Sequence, residues 1–211
     1  MNNLWTFGDS LTASFDEAYQ WSKKYIDWKG YKPNVYGDNI SQILGFNLNN
    51  LGVGSSDNYS ILQSFCNVSN KIKEGDLLIF GWSSPIRFRM VNNKKKWCSI
   101  LPSVDVDFFN NLENVTSNTL KEILLNRDNK LYVEEVNSWI KMINNMIKNV
   151  DVIHWNAFDN RLTSIYVNNL ETIRDETDNE INDVHFSENG QKQLSEILLN
   201  YYRSDRKIKI I

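Results

Sequence analysis

The stretch Gly75-Asp76-Leu77-Leu78-Ile79-Phe80-Gly81-Trp82-Ser83 constrains the fold more than any other part of the chain. A turn leads into an unbroken apolar run, which ends in a Gly/Ser loop. So short and so apolar a run fits a strand buried on both faces, as in a parallel sheet covered by helices. "NLWTFG" at residues 3–8 and "VDVIHWN" at 150–156 read the same way, and "FNLNNLGV" at 46–53 alternates like a strand. Helical spacing fills the gaps between them. Ile40, Ile43 and Leu44 follow a start at Asp38 or Asn39 and stop at Gly45. Ile61, Leu62, Phe65, Val68 and Ile72 form a second face, and Val136, Trp139, Ile140, Ile143 and Ile147 a third. Ser187 is an N-cap candidate for a last helix that packs through Leu194, Ile197, Leu198 and Tyr201. Strands alternating with helices predict an α/β fold, a three-layer α/β/α sandwich around a central parallel sheet. Right-handed crossovers then bring the loops Gly8–Ser10, Gly52–Asn58 and Gly81–Arg87 to one edge. Ligands of such sheets bind beyond the carboxyl ends of the strands.

A length of 211 residues suits one domain over 1–211. The rhythm is interrupted around 85–129, which reads as an insertion of loops and short helices over the carboxyl edge of the sheet. It holds the basic run Lys94–Lys96, Trp97 and Cys98. The net charge of −3 gives no electrostatic case for nucleic acid. No apolar run approaches the ~20 residues that span a bilayer, so stable membrane insertion is not expected. No basic region followed by an apolar segment opens the chain, so no signal peptide is expected. The expectation is a soluble protein, cytoplasmic or phage-encoded, the latter suggested by the abundance of Asn, Ile and Lys over Ala. Cys66 and Cys98 form neither a metal pattern nor a disulfide framework and read as two buried thiols. Oligomeric state is not legible.

The chemistry rests on a serine at the end of a strand. "LWTFGDSLTASF" breaks at Gly8-Asp9-Ser10, where a helix is expected to begin. Asp9 or Ser10 could merely cap it. A serine placed there could also point its hydroxyl into the crevice, given a base to activate it. The chain has two histidines. His154 lies inside an apolar strand and reads as structural. His185 lies between a polar loop and the last helix, with Asp183 two residues before it. A carboxylate so placed can fix the imidazole tautomer and stabilise the imidazolium.

These residues resemble the SGNH/GDSL hydrolase superfamily. Gly8-Asp9-Ser10-Leu11 matches its first block, "NLGVGSSDN" its second, "IFGWSSPIRF" stands in place of its third, and "DVHFSENG" is similar to its last. The blocks run in family order over nearly the whole chain, with 85–129 outside the match. The resemblance implies the flavodoxin-like three-layer fold and a serine esterase acting through an acyl-enzyme. Ser10 would be the nucleophile, His185 the base and Asp183 its acid. The Ser10 N–H, a Gly54 or Ser55 N–H and the Ser83 hydroxyl would form the oxyanion hole. No metal or cofactor is implied.

The sequence departs from the family pattern in three places. Ser55 rather than Gly54 stands at the ungapped oxyanion position. Ser83 stands where the family has an asparagine, with Asn58 a possible substitute donor. Asn182 stands where most members have the acid, which favours the Asp-x-His variant through Asp183. Asp9, Asn58, Trp82 and Arg87 are candidate substrate-binding residues, Trp82 and Trp97 as an apolar or sugar-stacking wall and Arg87 or Arg89 as an anion fork. The expected partner is a small-molecule or carbohydrate ester. A glycan O-acetyltransferase using the same residues, and a binding module with weak or no catalysis, are the alternative readings.

Overall fold

The computed structural model describes residues 1–91, 97–100 and 129–204. Five parallel strands form the central sheet: β1 (Asn3–Gly8), β2 (Asn47–Asn50), β3 (Leu77–Trp82), β6 (Asp151–Asn156) and β7 (Ile165–Tyr166), in the order β2-β1-β3-β6-β7. The helices are α1 (Gln20–Lys29), α2 (Tyr36–Leu44), α3 (Asn58–Val68), α4 (Asn129–Met146), α5 (Ile173–Glu176) and α6 (Glu188–Arg203). The α/β architecture read from the sequence is therefore present.

Side-chain alternation along the strands builds the layers. Leu4, Leu77, Ile79, Ile153 and Trp155 point to one face and pack with Ile40 of α2 and with Leu194 and Leu198 of α6. Trp5, Phe7, Leu78, Phe80 and Trp82 point to the other, against Ile61 and Phe65 of α3 and Val136, Ile140 and Ile143 of α4. All six residues of β3 are buried, as expected of a central strand with helices on both sides. Helix α1 lies apart, closing a small cluster of Phe15, Tyr25, Val35 and Ile173.

Several elements differ from the sequence reading. No helix starts at Ser10. The chain makes one tight turn, with the N–H groups of Thr12 and Ala13 both bonded to the Asp9 carbonyl, and then runs on to α1. Helix α1 gives little apolar signal because its only buried residues are Ser22 and Tyr25. Phe88–Val91 (β4) and Trp97–Ile100 (β5) pair as an antiparallel ribbon where loops and short helices were expected. Residues 101–128 and the Lys94–Lys96 run lie outside the described residues. Cys66, expected to be buried, is exposed on α3. Ile43 and Ile197 face solvent rather than the core. Among the described residues no helix is long and apolar enough to cross a membrane.

The amino end of the sheet is fastened by one carboxylate. Asp76, buried just before β3, accepts from the Asn3 N–H (2.8 Å), the Trp5 indole N–H (2.9 Å) and the Lys73 N–H (3.1 Å). Burial alone would raise its pKa. The indole and backbone donors outweigh that and hold the carboxyl below its ordinary value. A depressed native pKa adds stability above the unfolded value, and that stability is lost as pH falls through the native one. Asp76→Ala would strand these donors, each worth about 1–3 kcal/mol when buried unpaired. The expected loss is about 3 kcal/mol in urea unfolding at pH 7, and the variant loses less further stability than wild type on acidification.

Candidate active site

The strand order reverses between β1 and β3, so the crevice at their carboxyl ends is the topological switch point. Gly8 and Gly81 are register partners there. Neither tolerates a side chain: a Cβ at Gly8 would lie 2.0 Å, and one at Gly81 2.6 Å, from Thr12 Oγ1. The two glycines let the turn after Ser10 lie directly on the strand ends. Asn50 ties the second loop to the same turn. Its Nδ2 donates to the Thr12 carbonyl (3.0 Å) and its Oδ1 accepts from the Gly52 N–H (2.9 Å). The Val53 N–H donates to the Gly8 carbonyl (3.0 Å). From the last helix, Gln191 Nε2 donates to the Leu11 carbonyl (3.1 Å).

Ser10 is partly exposed on this turn and makes no hydrogen bond among the described residues. Asp9 beside it is buried and accepts from the Leu11 N–H (3.0 Å). Burial pushes the Asp9 carboxyl up. The Leu11 N–H, the neighbouring Ser83 hydroxyl and the charges of Arg87 and His185 offset this only in part.

The Asp-x-His reading corresponds to a formed pair. His185 Nδ1 lies 2.6 Å from Asp183 Oδ1, which also accepts the His185 backbone N–H at 2.8 Å. Burial would raise the Asp183 carboxyl, but the ring and backbone bonds from His185 bring it below its usual value. Asn182 is exposed. The backbone carrying the pair is held by the start of α5, where the Ile173 N–H donates to the His185 carbonyl and the Arg174 N–H to that of Asp183. Trp21 of α1 lies flat on the imidazole, with ring centroids 4.0 Å apart and planes 5° apart. Helix α1 is itself moored to the following chain: the Lys29 ammonium pairs with Glu176 and Glu188, and the Tyr25 hydroxyl bonds Glu176.

The remaining candidates divide. Ser55 adopts a left-handed conformation (φ 63°) in the turn closed by the Ser56 N–H and the Val53 carbonyl. The Gly54 N–H donates to the Tyr19 hydroxyl (3.3 Å). Ser83 is fully buried, and its hydroxyl stands by Asp9 without a full hydrogen bond among the described residues. Asn58 spends its amide on the β3 loop: Oδ1 accepts the Ser83 N–H (2.8 Å) and Nδ2 reaches the Ser83 and Ser84 carbonyls. It supports the loop instead of facing a ligand. Trp82, expected as a wall, is buried in the core and donates its indole N–H to His154 Nδ1 (3.2 Å), which takes it out of a ligand's reach. Arg87 reaches across to the Ser55 carbonyl (3.3 Å) and keeps a buried Nε without a partner among the described residues. Arg89 is engaged by Asp57 and Ser60. A cavity of ≈ 270 Å³ opens beside Arg87, between the start of α3 and α4, with Tyr59 and Trp139 in its wall; Ser10 and His185 do not line it. The side chain of Trp97 lies outside the described residues.

No protein-family model matches the sequence, and no curated protein does. Among solved structures, a chain from Desulfitobacterium hafniense DCB-2, described as a lipolytic protein of the G-D-S-L family, aligns over 95% of this chain and 99% of its own. The TM-score is 0.42 and the identity 13%, a distance at which the likeness carries no argument about function.

His154 has the environment expected of the structural histidine. Its Nδ1 accepts from Trp82, and its Nε2 lies 3.1 Å from Asn144 Oδ1, which fixes a neutral Nε2–H tautomer. Burial pushes its pKa down to about 3. The unfolded chain takes up this proton near pH 6.5 and the native chain does not, so stability falls as pH drops below about 6.5. The expected slope is up to about 1.4 kcal/mol per pH unit from this group. Urea titrations between pH 5 and 7 on wild type and His154→Asn check it, and the variant's slope is the shallower.

Proposed function

We propose that the chain is a serine esterase of the SGNH/GDSL type, hydrolysing carboxylic esters of small molecules or carbohydrates. The observation that carries this reading is the 2.6 Å Asp183–His185 pair, with an uncommitted Ser10 on the turn at the carboxyl end of β1. Ser10 Oγ attacks the ester carbonyl while His185 Nε2 takes its proton. Asp183 holds the ring by Nδ1 and stabilises the imidazolium. The alkoxide leaves with the proton from His185, and water hydrolyses the acyl-enzyme by the same route. The Ser10 N–H stabilises the oxyanion, with the loop at Gly54 and Ser55 beside it. Arg87, anchored on that loop, would bind an anionic part of the substrate. An acetyl group passed to a sugar hydroxyl instead of water would use the same residues.

A binding module on the same fold is the second reading. It is favoured by the burial of Ser83 and by the engagement of the Gly54 N–H, which leave the oxyanion site short of free donors. A p-nitrophenyl acetate assay separates the two. Ser10→Ala is expected to lose at least about 10³-fold in kcat, and Asp183→Ala about 10²–10⁴-fold, with Asn182→Ala little changed. Equal and small losses at 182 and 183 would remove Asp183 from the site. A wild type with neither Ser10-dependent turnover nor labelling by a fluorophosphonate would be the binding module.

A further inference from the structure

Tyr19, the residue before α1, lies against the second loop, which carries the Gly54 and Ser55 candidates. Tyr19 is brought to the second loop by two close contacts. Its hydroxyl accepts the Gly54 N–H at 3.3 Å, and its ring lies so near that a Cβ on Gly54 would sit 2.9 Å from Cε1 and 3.0 Å from Cζ. Gly54 is thus a glycine because Tyr19 packs on it. The preceding residue, Val53, donates its N–H to the carbonyl of Gly8, two positions from Ser10. On its other side Tyr19 stacks with Trp21 (6.3 Å, 22°), and Trp21 covers His185. The phenol therefore stands between the loop beside Ser10 and the clamp on the base.

A phenol has one proton to give and two lone pairs to receive. Tyr19 receives from Gly54, and its own proton meets no acceptor among the described residues. Of the other candidates, the Asn58 amide is bound to the β3 loop, and the Ser83 hydroxyl is fully buried beside Asp9.

We infer that Tyr19 is a catalytic residue, the hydrogen-bond donor to the oxyanion in place of the missing side-chain amide, polarised by the Gly54 N–H. This rests on the esterase reading above. As Ser10 Oγ bonds the carbonyl carbon, its proton moves to His185 Nε2 and the carbonyl π pair moves onto oxygen. That oxygen accepts from the Ser10 N–H and the Tyr19 O–H. Tyr19 keeps its proton throughout. When the carbonyl re-forms, the leaving alkoxide takes the proton from His185, and Tyr19 is unchanged. A hydroxyl bonded to an anion is among the stronger hydrogen bonds, and polarisation by a second donor adds to it.

Tyr19→Phe keeps the ring on Gly54 and Trp21 and removes only the hydroxyl. With p-nitrophenyl acetate its kcat is expected to fall about 10²–10³-fold, as for loss of an oxyanion donor, while KM changes little. Its rate of labelling by a fluorophosphonate, which also builds negative charge on oxygen, falls in parallel. Turnover by Tyr19→Phe at or above the wild-type rate, with Ser10→Ala inactive, would overturn the assignment and make the phenol a plug in the site. A rise in KM with kcat unchanged would overturn it as well. Absence of Ser10-dependent turnover and labelling in wild type would overturn both this assignment and the esterase reading beneath it.

Discussion

Everything at the carboxyl edge of the sheet depends on one close approach. Thr12 lies against the backbone of Gly8 and Gly81, at distances that leave no room for a Cβ on either glycine. That contact brings the tight turn after β1 down between β1 and β3, where the strand order reverses. It holds Ser10 up at the mouth of the crevice and buries Asp9 beneath it. A side chain at residue 8 or 81 would lift the turn and separate the serine from the loops that serve it. The Tyr36 hydroxyl completes the fit from behind, donating to Thr12 Oγ1 at 3.2 Å.

Around this contact the loops are tied by side-chain amides. Asn50 binds the second loop to the Ser10 turn, Asn58 binds the third loop to the start of α3, and Gln191 binds the last helix to both the turn and the first residue of α2. An amide carries donors and acceptors together, so one side chain can satisfy both a carbonyl and an N–H. Three such clamps hold the loops at the carboxyl edge to one another.

The layers of the fold were legible because burial on both faces writes itself as an unbroken apolar run, as in Leu77–Trp82. Helix α1 was not, because it packs through Ser22 and Tyr25 and is held by the ion pairs of Lys29 instead of an apolar stripe. The turn at Ser10 was mistaken for a helix start because Gly-Asp-Ser carries the same capping chemistry in both. In the proposed site, Ser10, Asp183 and His185 were candidates because reactive residue types are few and two histidines left little to choose. Trp82 misled because a tryptophan after a glycine at a strand end can face either way, and the pleat turned it into the core. Tyr19 and Trp21 had no local signal at all. Trp21 stacks on a histidine more than 160 positions away and Tyr19 packs on Gly54 and Trp21, contacts that no periodicity records.

The margins of the sheet have a consequence of their own. The sheet begins with the four residues of β2, three of them asparagines, and closes with the two residues of β7. An exposed strand edge is a template on which another chain can add, and long flat apolar edges are the ones that aggregate. Within this sheet the long apolar strands β1, β3 and β6 are interior, and each outer strand is too short or too polar to offer a continuous ladder. The central sheet thus limits edge-to-edge pairing by geometry.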